Sequence, residues 1–82
     1  MTTITVKLFA AYQEAYGQSE VVLEVAAGMT VGEVGDRIRH PFPALQSLAE
    51  VTRYGVNLGF VDPNTVVQEG DEVVLIPPVS GG

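Results

Sequence analysis

Five residues near the end of this 82-residue chain constrain its fold more than any others. Glu72-Val73-Val74-Leu75-Ile76 follows a turn at Glu69-Gly70-Asp71 and carries four β-forming residues in a row. Side chains of a strand alternate between its faces, so Val73 and Leu75 share one face and Val74 and Ile76 the other. A strand half exposed to water alternates apolar with polar, whereas this one is apolar on both sides and needs cover on both. We assign Val73 and Leu75 to the core. Val74 and Ile76 are assigned to an apolar patch on the opposite sheet face, expected to meet a partner.

The remaining segments supply a sheet around that strand. Ile4-Thr5-Val6-Lys7-Leu8-Phe9 alternates and reads as strand one. Ala10 to Tyr16 reads as a short helix closed by Gly17. Glu20 to Val25 is a second strand, with Val21, Leu23 and Val25 on one face, close enough in sequence to pair antiparallel with the first. Thr30 opens the main helix: Glu33 completes a capping box, and Met29 and Val34 stand at the staple positions. Val31, Val34 and Ile38 form its apolar stripe. Gly32 and Gly35 each weaken this helix by up to about 1 kcal/mol relative to Ala, which close packing on a sheet would explain. Pro41 stops it. Pro43 to Ala49 reads as a second short helix, with Leu45, Leu48 and Ala49 on one side. A strand to Val56, a tight turn through Asn57-Leu58-Gly59, a return at Phe60-Val61 and a turn at Asp62-Pro63-Asn64 complete the series.

Two strands, a helix, then further strands give an α+β layer with the helix on one sheet face. Strand one and the last strand lie side by side at the centre of a mixed sheet, which is the β-grasp, or ubiquitin-like, arrangement. Residues 1–76 form this domain, and residues 77–82 are read as a protruding C-terminal tail.

Composition excludes several kinds of chemistry. A net charge of −6, with only Lys7, Arg37, Arg39 and Arg53 positive, argues against nucleic-acid binding, which demands a basic patch. The same charge would steer the chain toward basic partners. There is no cysteine, which removes disulfides, thiol nucleophiles and thiolate metal sites. The one histidine, His40, precedes Pro41 at a helix end and reads as a surface or capping residue. Asp71-Glu72 is the only adjacent carboxylate pair and reads as turn chemistry. No apolar run approaches the ~18 residues of a membrane span. The N-terminus lacks the basic and apolar regions of a signal peptide, so a cytoplasmic location is expected.

There remains the tail, Pro77-Pro78-Val79-Ser80-Gly81-Gly82. The prolines fix φ and cannot donate to a sheet ladder, so they end the strand and project the last four residues away from the sheet. Six extended residues span roughly 20 Å. Glycine has no Cβ, so Gly81 and Gly82 can thread a tunnel that any side chain would block. The expected reactive group is the terminal carboxylate of Gly82, delivered into the active site of another protein.

The stretch Gly70-Asp71-Glu72-Val73-Val74-Leu75-Ile76-Pro77-Pro78-Val79-Ser80-Gly81-Gly82 resembles the C-terminal signature of the MoaD/ThiS-type sulfur carriers, in particular the small subunit of molybdopterin synthase. Ile4 to Ala10, Thr30-Val31-Gly32-Glu33, Val56-Asn57 and Phe60-Val61 agree with it. Leu58-Gly59 departs from it, since the family usually has a polar turn there. The resemblance implies that Gly82 is adenylated by an ATP-using, E1-like enzyme and then thiocarboxylated with sulfur from a donor protein. It implies that Pro77, Pro78, Val79, Ser80 and Gly81 occupy a channel in the large subunit of molybdopterin synthase. There sulfur would build the dithiolene of molybdopterin, within a heterotetramer. The chain itself is expected to bind no cofactor and no metal. Three alternatives stay open: a sulfur carrier for thiazole, tRNA thiolation or cysteine synthesis; a ubiquitin-like modifier joined to proteins through Gly82; and an interaction domain whose tail does no chemistry.

Overall fold

In the computed structural model, which describes residues 1–78, the chain forms a five-stranded mixed sheet with one principal helix across a single face. The elements run β1 Thr2–Leu8, α1 Ala11–Tyr16, β2 Glu20–Val25, α2 Val31–Arg39, a 3₁₀ segment Pro43–Leu48, β3 Arg53–Val56, β4 Gly59–Val61 and β5 Glu72–Ile76. The strand order is β2-β1-β5-β3-β4. The last strand therefore lies at the centre, as its two apolar faces required. It runs parallel to β1, with Thr5 opposite Glu72 and Leu8 opposite Leu75. It runs antiparallel to β3, with Arg53 opposite Ile76 and Val56 opposite Val73.

The main helix begins as its sequence dictates. The Thr30 side chain accepts from the Glu33 amide, and the Glu33 carboxylate accepts from the Thr30 amide. The neighbouring free amides are met from the 62–67 loop: Val31 N–H donates to the Thr65 carbonyl and Gly32 N–H to that of Pro63. This helix start is thus closed by the chain itself, leaving its first-turn donors paired. Val31, Val34 and Ile38 are buried against Ile4, Val6, Leu8, Val25, Val73 and Leu75 from the sheet. Both helix glycines meet tight contacts, for different reasons. A Cβ on Gly35 would lie 2.7 Å from the Tyr54 hydroxyl of β3. One on Gly32 would lie 3.1 Å from the Pro63 carbonyl, so that glycine packs on the loop and not on the sheet.

A buried polar chain sits beneath the helix. The Arg39 guanidinium donates to the Tyr12 and Tyr54 hydroxyls at 3.0 and 3.2 Å and to Asp36 at 2.8 Å. Thr52 Oγ1 donates to the Leu48 carbonyl, which leaves Tyr12 as the donor in the 2.7 Å Tyr12–Thr52 bond. Burial pushes the Arg39 pKa down, but its hydrogen bonds to Tyr12, Asp36 and Tyr54 outweigh this and hold it above the usual value.

Local details differ from the sequence reading. β1 begins at Thr2 and ends at Leu8, because Thr2 and Thr3 find partners in Val25 and Glu24. Ala10 has φ 49° and ψ −122° and stands before α1, not within it. The second short helix is a 3₁₀ segment with Leu45 buried. The β3–β4 turn has two central residues, Asn57 and Leu58; Gly59 already pairs with Val56.

Candidate functional site

β5 ends at Ile76, and its alternation decides which side chains are presented. Val73 and Leu75 have no exposed surface, while Val74 and Ile76 are half-buried on the face away from α2. Pairing carries that outer face sideways: Gly55 lies between Phe60 and Val74, and Arg53 lies opposite Ile76. Because Gly55 has no side chain, the floor between Phe60 and Val74 is bare backbone. A groove of about 150 Å³ opens there, lined by Gly55, Leu58, Gly59, Phe60, Val74 and Ile76. Phe60 is 74% exposed and Leu58 97%. Leu58, Phe60, Val74 and Ile76 thus form one apolar cluster on the sheet face opposite α2.

Two further clefts flank the tail root. One, of about 440 Å³, is lined by Phe9, Ala10, Ile76, Pro77 and Pro78. The other, of about 560 Å³, is lined by Glu50, Val51, Thr52, Arg53, Ile76, Pro77 and Pro78. Ile76 borders all three. Pro77 is buried and Pro78 exposed. Among the sequence-derived site residues, Val74, Ile76, Pro77 and Pro78 are brought together here. Val79, Ser80, Gly81 and Gly82 lie outside the described residues.

Phe9, Leu58 and Phe60 are not among the site residues expected from the sequence, where Leu58 stands out only as a departure from the family's polar turn. The signal for Phe60 was available: Phe60 and Val61 are adjacent apolar residues in one strand, so one of them must face outward. Leu58 and Phe9 became visible only once the turn and the end of β1 were placed.

Charge is arranged unevenly over this sheet face. On the β1 side, Lys7 stands opposite the groove residue Val74, and its Nζ donates to Glu20 at 2.7 Å; that hydrogen bond, with the fields of Glu20 and Glu72, raises the Lys7 pKa. At the groove end, Glu72 lies on the same face as Val74 and Ile76, beside the Asn57-Leu58 turn. Among the described residues no group of three or more His, Cys, Asp or Glu is placed to hold a metal ion. None of their helices is long and apolar enough to cross a membrane. This surface offers apolar contact at the end of β5, with the cations Arg53 and Lys7 beside Ile76 and Val74 and the carboxylate Glu72 at the opposite end of the strand.

Residues 6–82 match the model of the ThiS family. The chain is 32% identical over 79 residues to the molybdopterin synthase sulfur carrier subunit of Arabidopsis thaliana, a match covering 96% of this chain and 82% of that protein. It is 32% identical over 83 residues to the protein of the same name from Mycobacterium tuberculosis, covering 100% of both. Among solved structures, small archaeal modifier protein 1 of Haloferax volcanii superposes with a TM-score of 0.82 at 29% identity, over 96% of this chain and 100% of that one.

Proposed function

This chain belongs to the ThiS/MoaD family of sulfur carriers, and from that premise we propose that it is the carrier subunit of molybdopterin synthase. In this reading sulfur rides as a thiocarboxylate on Gly82 and is spent on dithiolene formation in molybdenum cofactor biosynthesis. The observation that carries the reading is the likeness, over 96% and 100% of this chain, to two proteins of that name from two distant organisms.

The chemistry is set by the end group. A terminal carboxylic acid has a pKa of about 3.3–3.7, so at neutral pH it is an anion and a poor acyl donor. An E1-like activating enzyme would use ATP to convert it to an acyl adenylate. Sulfur from a donor protein then replaces AMP at the acyl carbon. The chain would supply no catalytic side chain to either step. Its contribution is presentation: Pro77 and Pro78 direct the tail, and Ile76 and Val74 give the large subunit an apolar surface at its root. Residues Val79 to Gly81 would occupy the channel that leads to the reacting centre. No cofactor is assigned to the chain itself.

A second reading has its own observation. The likeness to small archaeal modifier protein 1 is similarly close in fold, which supports attachment to protein amines through Gly82. One experiment separates the two. The chain is incubated with its activating enzyme, ATP and a sulfur donor, and its intact mass is measured. Replacement of one oxygen by sulfur, abolished by deleting Gly82, is the expected result. A ladder of conjugates would favour the modifier, and an unchanged mass would overturn both.

A further inference from the structure

The β3–β4 turn carries two local penalties that the fold does not repay. Asn57 and Leu58 both have positive φ, 48° and 76°, as a two-residue type I′ turn requires. Glycine is favoured at the second position, but the glycine of this sequence comes one residue late, at Gly59. A leucine therefore occupies the left-handed region, where its Cβ meets the following carbonyl. It is also 97% exposed, the most exposed of the large apolar side chains of the described residues. The turn is not free to relax. Asn57 Nδ2 donates to Asp71 at 2.9 Å, its Oδ1 accepts from the Glu72 amide at 3.0 Å, and its own amide donates to the Glu72 carbonyl. These three bonds tie the turn to the start of the central strand and hold Leu58 outward.

Strain held in place by a hydrogen-bonded support, with no internal packing in return, points to use outside the molecule. Leu58 lines the same groove as Phe60, Val74 and Ile76, so its surface is continuous with that at the tail root. We propose that Leu58 is a specificity anchor: it enters an apolar pocket, with a basic side chain at its rim facing Glu72, on the protein that receives the tail. The basic rim is inferred from Glu72, which shares the outward face with Val74 at the turn end of the groove, and from the net charge of −6; the Asp71 carboxylate is already held by Asn57 Nδ2 and the Gln68 amide. This inference rests on the carrier reading above, because it takes the receiving protein to be the synthase large subunit.

The test depends on two effects of opposite sign. Leu58→Gly and Leu58→Asn both suit a left-handed position and remove the anchor. Each should raise Tm by up to a few degrees, and each should weaken binding of the large subunit roughly tenfold or more, the loss expected for one buried aliphatic side chain. Calorimetric titration reads the binding and circular dichroism the melting. Unchanged affinity in both variants overturns the proposal, and so does a clear fall in Tm, which would mean that Leu58 packs within the fold. Ile76→Asp is the control for the parent reading. If that variant binds poorly while the Leu58 variants bind normally, only the anchor is refuted. Normal binding by folded Ile76→Asp, or no binding by the unaltered chain, overturns the face as a whole. Sedimentation of the unaltered chain adds one outcome: a dimer lost in Leu58→Gly would make a second copy the occupant and refute the assignment to the tail-receiving protein.

Discussion

Placing an aspartate at each of two adjacent residues of β5 should give opposite outcomes. Leu75 is wholly buried, between Leu8 of β1 and Tyr54 of β3. Leu75→Asp loses about 2–3 kcal/mol of apolar transfer, leaves part of the leucine volume unfilled, and buries a carboxyl at a further cost of about 2–4 kcal/mol. An 82-residue domain has about 4–12 kcal/mol of stability in total. The two costs, about 4–7 kcal/mol before any contribution from the unfilled volume, are together comparable with that total. Ile76 stands one residue on and faces the other way, half in water. Its loss forgoes roughly 1–1.5 kcal/mol of burial, and the new carboxylate stays solvated. Ile76→Asp should therefore remain a folded domain. In a complex with the large subunit the same aspartate would be desolvated against apolar surface, at a cost of several kcal/mol. Circular dichroism reports the fold of each variant and calorimetric titration the binding. A Leu75→Asp chain that melts normally, or a folded Ile76→Asp chain that binds normally, would show the assignment of faces to function to be wrong.

Gly35→Ala should destabilise by about 1–3 kcal/mol despite the better helix former, because its Cβ lands 2.7 Å from the hydrogen-bonded Tyr54 hydroxyl; Gly59→Ala, whose nearest such contact is at 3.8 Å, should stay within about 0.5 kcal/mol. Thermal melts of the pair decide this. Arg39→Ala should cost about 3 kcal/mol in denaturant titration by emptying a buried site and stripping the Tyr54 hydroxyl of its donor, while Arg39→Met should recover much of that loss. Burial raises the Tyr16 pKa above its usual 10.0, and the hydrogen bond to Glu20 raises that of Lys7 above 10.5. Folding favours the protonated form of both, so this contribution is complete below pH 10 and lost as pH climbs through the folded-state values. Stability measured against pH should fall in that alkaline window, less steeply in Tyr16→Phe. Amides of β5, paired on both sides, should exchange with deuterium far more slowly than those of the three-residue edge strand β4.

Legibility from the sequence tracked the range of the interactions. The capping box at Thr30-Glu33 is complete within four residues, and the structure places it where the sequence does. The central place of β5 was equally legible, since two apolar faces admit few other positions. Features set by distant partners were not. Gly32 has the look of a sheet contact in sequence, yet it meets Pro63, thirty-one residues away. The turn at Asn57-Leu58 is one residue narrower than its sequence suggests, because its width depends on the pairing of Val56 with Gly59. Arg39 reads as an ordinary cation near a helix end; its role at the centre of a tyrosine, threonine and aspartate network needs Tyr12, Thr52 and Tyr54 to be brought beneath it. At the site, Val74 and Ile76 are visible from alternation alone, whereas the groove they share with Leu58 and Phe60 requires the order β5-β3-β4.

The position of β5 bears on how a domain this small would present the proposed tail. A tail attached to an edge strand would be held by one ladder and could peel the strand away when a partner took hold of it. Here the strand before the tail is held on both sides, by β1 through Leu75 and by β3 through Ile76. The direction of exit is thus set by the centre of the sheet, the most cooperative part of a small fold. The alternation that makes this strand central also separates its roles. One parity, Val73 and Leu75, fills the core, and the other, Val74 and Ile76, faces outward beside the groove. In the proposed carrier reading, substitution at Val74 and Ile76, or at Leu58 in the β3–β4 turn, would change contact with the receiving protein while the buried positions, and with them the fold, stay as they are.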